Sequence, residues 1–185
     1  MLKTLDIAMS FGTYLDSSNP NTALAASQYI HVRYATASTY SALLKPVYST
    51  AIPDFAIESA SLYVYPAYVS GSPSVTLKRV LRAATNAATW NKYDGSSAWG
   101  TPGGTGVADS SAALACSPIS AFVQYQYKAI PLTRAEYLAA KTDDQGLLLT
   151  TSTLNGWVYF VNYNQASNTP FIRISYRSNS VPTFF

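Results

Sequence analysis

Side chains able to carry catalysis are scarce in this sequence. In 185 residues there is one histidine, His31, one cysteine, Cys116, and nine acids scattered along the chain. A Ser-His-Asp triad needs an imidazole held between a nucleophile and an orienting acid. His31 lies in Tyr29-Ile30-His31-Val32-Arg33-Tyr34, where alternation sends Ile30, Val32 and Tyr34 to one face and His31 with Arg33 to the solvent side. Glycoside hydrolysis needs two facing carboxylates about 5–9.5 Å apart. The only neighbouring acids, Asp143 and Asp144, read as a solvated helix stop. Gly103-Gly104-Thr105-Gly106 is not followed by Gly-Lys-Ser/Thr, so it does not read as a phosphate cradle. One His and one Cys are too few for a zinc site. A calcium site built from Asp94, Asp109 and loop carbonyls is chemically feasible, since calcium takes hard oxygens, but the acids lack the spacing of a calcium loop. Cys116 has no partner for an internal disulfide and reads as a small buried apolar residue. This inventory argues against an enzyme.

The aromatic residues are the remaining signal. Fifteen Tyr, seven Phe and three Trp make 14% of the chain, while charged residues make only 11%, under half the usual share of about 25%. The surface must therefore be largely Ser, Thr, Asn, Gln and Tyr. Tyr93 and Trp99 fall in the Gly- and Ser-rich stretch 91–111, a loop long enough to present rings rather than bury them. Tyr63 and Tyr65 alternate with Leu62 and Val64, which puts both rings outward on one strand as a flat platform. Trp90 reads as core. Exposed rings among polar neighbours suit stacking on sugars or anchoring a protein partner. The terminal Phe184 and Phe185 read as a docking tail or as a fold-back onto the sandwich.

The elements that position these residues are mostly strands. Period-two alternation recurs in 29–34, 59–65 and 171–177, and strand-like composition in 42–48, 74–81, 121–130, 146–151 and 157–163, the pattern of half-buried antiparallel strands. Ser17–Pro20, Ser70–Pro73, Leu154–Gly156 and Gln165–Pro170 supply turns. Thr133-Arg134-Ala135-Glu136 is a capping box, and it opens one short helix near 134–141. Strands with one helix and no βαβ rhythm predict an all-β, two-sheet antiparallel sandwich with jelly-roll-like wiring. Residues 1–177 form its single domain and 178–185 a C-terminal tail. A chain this size buries about 70% of its surface on folding, and 48% hydrophobic residues exclude a disordered one.

The net charge of +3 is small. Lys78, Arg79 and Arg82 divide between the two faces of a strand, so no dense basic face is expected and no nucleic-acid partner. No run approaches the ~20 apolar residues of a membrane helix. The start, Met1-Leu2-Lys3-Thr4-Leu5-Asp6, lacks the apolar stretch of a signal peptide. With Met1 as the true start, synthesis is expected in the cytoplasm without export by the usual route.

A series of segments resembles a known family: Ala42-Leu43-Leu44-Lys45, Ile52-Pro53, Ile57–Tyr65, Val75–Val80, Ala88-Thr89-Trp90-Asn91, Trp99-Gly100-Thr101-Pro102-Gly103-Gly104, Asp109, Gly146–Leu149 and Thr169–Tyr176. Together they resemble the DNRLRE-type, disaggregatase-related β-sandwich domains, similar to carbohydrate-binding modules, across nearly the whole chain. The Thr-Trp-Asn and Trp-x-x-Pro-Gly-Gly pair is the most specific part. That family tends to carry Arg-Phe-Asp after the paired leucines, where this chain has Lys45-Pro46-Val47. The resemblance implies an accessory module that binds glycans or builds surface structures. Two non-enzymatic expectations follow. One is a structural or adhesive virion component of phage type, such as a head-decoration, collar or tail-associated protein, homo-oligomeric and placed on the virion surface after cytoplasmic synthesis. The other is an extracellular carbohydrate-binding module of a polysaccharide-acting protein.

Overall fold

A computed structural model describes residues 1–178. Phe184 and Phe185, the expected docking tail, lie outside the described residues. The chain forms β1 (Leu2–Asp16), β2 (Tyr29–Ala35), β3 (Ser38–Pro46), β4 (Ile57–Val64), β5 (Pro66–Ser70), β6 (Val75–Arg79), β7 (Lys128–Leu132), α1 (Arg134–Asp143), β8 (Leu147–Thr151), β9 (Gly156–Val161) and β10 (Phe171–Arg177). It is an all-β, sandwich-like fold with 44% of residues in strands. All ladders between strands are antiparallel.

The expected two sheets share strands and hydrogen-bond as one, in the order β5-β9-β2-β3-β1-β10-β4-β7, with β8 and then β6 branching from β3. The joining strand is β1. Its first half, Leu2–Ala8, pairs with β10, and its second half pairs with β3, with an irregularity between Met9 and Phe11. A bulge inserts one residue and shifts the pleat by one. Ile7 and Met9 accordingly join the main core, whereas Phe11 and Leu15, of the same parity, join a second cluster. The main core gathers Ile172 and Ile174 of β10, Leu62 and Val64 of β4, Ile30 and Val32 of β2 and Val158 and Phe160 of β9. Because β1 occupies one edge of β3, β2 and β8 must share the other. β2 pairs with its Ser38–Tyr40 end and β8 with Ala42–Leu44.

Two sequence expectations change. The strand expected over 121–130 begins only at Lys128, because Ala121 and Tyr125 hold positive φ of 55° and 63°, which breaks extended pairing. The 15-residue β1 was not among the expected strands, since its bulge interrupts the alternation. The helix is as expected. The Thr133 hydroxyl accepts from the Glu136 N–H at 3.2 Å, and the Glu136 carboxylate accepts from the Thr133 N–H at 2.8 Å. Asp144, left-handed at φ 47°, ends it.

Candidate functional site

The strand register builds a two-row aromatic ladder across five strands. Asp16 of β1, Tyr40 of β3, Arg33 of β2 and Trp157 of β9 are successive cross-strand partners, and such partners share a face. In the neighbouring row His31, Tyr159 and Tyr68 are cross-strand partners, and Tyr14 of β1 joins them by ring contact with His31. His31 stacks between Tyr14 and Tyr159, with ring centroids at 4.3 and 3.9 Å and planes within 13°. Arg33 lies between Tyr40 and Trp157, its guanidinium carbon 5.7 and 5.0 Å from the ring centres. Four interstrand spacings make the ladder about 19 Å wide. Tyr68, at 43% exposure, closes it on β5.

His31 does share a face with Arg33, but it is half-buried rather than open to solvent. The stacked rings strip its water, and this desolvation holds its pKa down to about 4, with Asp16 pulling weakly the other way and Arg33 adding to the depression. The same burial raises the hydroxyl pKa values of Tyr14 and Tyr159. Arg33 Nε and Trp157 Nε1 are buried without a hydrogen-bond partner among the described residues. Buried donors are nearly always paired, and these are the two nitrogens among the seven buried polar side-chain atoms without a partner in the described residues.

The Gly-rich loop does the opposite of what its composition suggests. It covers Phe11, Leu15, Leu43 and Leu148, and Trp99 is buried at 5% exposure among them. The indole N–H of Trp99 donates to the Thr89 carbonyl at 2.9 Å, and Gly103 packs close under the ring of Trp90. Tyr93 meets Trp99 edge-on at 5.6 Å. Trp99 is therefore a core residue and Tyr93 its half-buried support, whereas Trp90, expected in the core, is only half-buried. The long loop is unusual in having its own apolar anchor, and so it lies down on the sheet rather than presenting its rings.

The two acids considered for calcium spend their oxygens on N–H groups. Asp109 is fully buried, accepts from the Gly100 and Thr101 N–H groups at 2.8 Å each, and faces Arg82 at 3.3 Å. Asp94 accepts from the Ser96 and Ser97 N–H groups, which hold its pKa far below the usual carboxylate range. Both act as loop staples, and among the described residues no group of three or more potential ligands gathers.

Tyr63 and Tyr65 do face outward, on β4 and just after it. Tyr63 stacks on Phe171 at 4.7 Å with planes within 4°, under the Arg173 guanidinium at 5.2 Å. Tyr65 instead meets Tyr127 edge-on at 5.1 Å, so the two do not form one flat platform. Tyr65 turns toward a cleft of about 340 Å³, where Tyr29, Tyr125, Gln28, Gln165 and Asn168 surround it.

Of the residues expected to bind, Tyr65 reaches an open recess, Tyr63 joins a stack, and Trp99 and Tyr93 belong to a closed patch. The five-strand ladder was missed, although its signal was present: His31 and Arg33 on one strand, Trp157 and Tyr159 on another, each two residues apart on an outward face. No protein-family model matches this chain, and no curated protein matches it in sequence.

Proposed function

We propose that this chain is a non-enzymatic structural or adhesive module, an assembly component of virion type that works by contact between sheet faces. The supporting observation is the ladder. Its rings spend their flat faces on one another, so what they offer outward is ring edges, hydroxyls and the tips of Tyr68 and Trp157. Such a surface has no cleft for a reacting bond. It resembles the aromatic, arginine-bearing centre of a protein interface. In this reading residues 1–177 act as one sandwich, residues 178–185 serve as an arm, the partners are further copies or a shell protein, and the site of action is the particle surface. Native mass measured over a range of concentrations tests it. The expected result is concentration-dependent association, weakened by Trp157→Ala with the fold intact. A monomer at every concentration that also fails to bind any shell would overturn it.

The second reading is an extracellular carbohydrate-binding module. The uncharged tyrosine-and-amide cleft beside Tyr65 favours it, as does the resemblance to DNRLRE-type domains. Retention on insoluble polysaccharide is its test.

A further inference from the structure

We infer that the cleft beside Tyr65 is a binding site for a single neutral sugar unit of a glycan. This rests on the adhesive and carbohydrate-binding side of the proposed function and gives that side a place and a ligand class. The cleft, about 340 Å³, lies at the small end of the range for ligand sites. Tyr29, Tyr65 and Tyr125 line it with rings, Gln28, Gln165 and Asn168 line it with amides, and no charged side chain borders it. A neutral sugar presents apolar C–H faces and a rim of hydroxyls that both donate and accept. Rings answer the first and amides the second. A phosphate, a sulfate or an acidic sugar would find no cation here.

The walls are fixed before any ligand arrives. The Tyr125 N–H donates to the Pro66 carbonyl at 2.8 Å, the Gln124 amide to the Ala67 carbonyl at 2.8 Å, and the Val161 N–H to the Tyr65 carbonyl at 3.0 Å. Buried Asn162 ties the other side together, donating to Ser27 and Gly12 carbonyls at 2.9 and 3.1 Å. Pre-organised walls lower the entropy lost on binding. The lining groups are left free: among the described residues the side-chain amides of Gln28 and Asn168 and the hydroxyls of Tyr29, Tyr65 and Tyr125 make no hydrogen bond within the chain.

Tyr125 is the residue that folding does not account for. The residue is 66% exposed, yet its backbone sits at φ 63°, a left-handed conformation that a bulky residue adopts only at a cost. Glycine would fit this turn without strain. Retaining a tyrosine there keeps an exposed ring at the mouth of the cleft, which is what a sugar-stacking residue requires.

The test pairs Tyr125→Gly in the full chain with Phe55→Ala, which removes an exposed ring (69%) that borders neither the ladder nor the cleft. Each is assayed by NMR titration with methyl glycosides of neutral hexoses and by retention on neutral and acidic polysaccharides. The expected result is that wild type binds a neutral glycan, Tyr125→Gly weakens binding about tenfold or more with melting temperature equal or higher, and Phe55→Ala binds as wild type. A purely structural tyrosine would leave binding unmoved. Undiminished glycan binding by Tyr125→Gly overturns the cleft while leaving a glycan-binding role in place. Binding of acidic glycans alone also overturns the cleft. No binding to any of these probes overturns both the cleft and the glycan-binding reading, and leaves assembly standing.

Discussion

Trp99 and Trp157 mark two ways of finishing the surface of a β-sheet. Over β1, β3 and β8 the 91–111 loop lies down, Trp99 is buried, its N–H is paired, and the carboxylate of Asp109 takes the Gly100 and Thr101 N–H groups. Over the β1–β3–β2–β9–β5 row no such cover is described. There the side chains cover each other, and Trp157 and Arg33 keep buried donors without partners. The first region pairs its buried side-chain nitrogens, and its buried exceptions among the described residues are hydroxyls, that of Ser110 among them. The second accepts a stability deficit, and surfaces that do so are where contact functions concentrate.

The largest effect expected from this contrast is in the closed region. Trp99→Ala should cost about 3–5 kcal/mol of unfolding free energy, as large-to-small changes of buried aromatics do, measured by urea denaturation. Trp157→Ala should cost less than half as much and act on association instead. Equal costs would make the ladder ordinary core and dissolve the contrast. Next comes the loop staple. Asp109→Ala strands the Gly100 and Thr101 N–H groups and the Arg82 guanidinium, for about 2–3 kcal/mol, and should open residues 94–110 to limited proteolysis. A variant as stable and as protease-resistant as wild type would mean the loop is held by Trp99 alone.

The ladder's own signature is a pH dependence. In the folded chain His31 titrates near 4, against 6.5 for a free imidazole. Between those values the unfolded chain binds a proton that the folded chain refuses. The stabilisation is thus complete above about pH 6.5 and is lost as pH falls to 4. Allowing for the partial exposure of the ring, the loss is about 1–2 kcal/mol. Comparing urea midpoints of wild type and His31→Phe from pH 7 to 4 reads it directly, and parallel curves would show the stack is loose enough to hydrate. The smallest effect belongs to the opposite layer. Arg173 and Asp6 form a two-bonded pair at 2.7 Å on an exposed face. Arg173→Ala should therefore cost little, and less still in high salt. A larger, salt-independent loss would mean that the Tyr63–Phe171 stack depends on its guanidinium cover.

Much of this was written locally. The strands around Val32, Leu62, Leu77, Leu148, Val158 and Ile174 were legible because a half-buried strand must alternate, and Thr133 with Glu136 announced the helix because a capping box needs only four consecutive residues. The outward direction of Tyr63 and Tyr65 was legible for the same reason. The long β1 was not, because one inserted residue at its bulge sends Phe11 to a different core from Met9. The segment 121–127 has strand composition, yet Ala121 and Tyr125 turn left-handed, held in part by a bond to Pro66 that lies far away in sequence.

The sequence by itself determined the all-β class, the short helix and which side of each regularly alternating strand faces inward, since those depend on neighbours one to four residues apart. Tertiary structure alone decided which aromatics are open. Trp99 sits in a stretch of Gly and Ser that reads as exposed, but burial is set by whether an apolar surface elsewhere in the chain waits beneath it, and Phe11, Leu43 and Leu148 provide one. His31 sits on an outward face that reads as solvated, but Tyr14 and Tyr159 arrive from strands separated from it by many residues and take the place of water. Burial is a property of what the fold brings against a side chain, and period-two alternation carries no information about that.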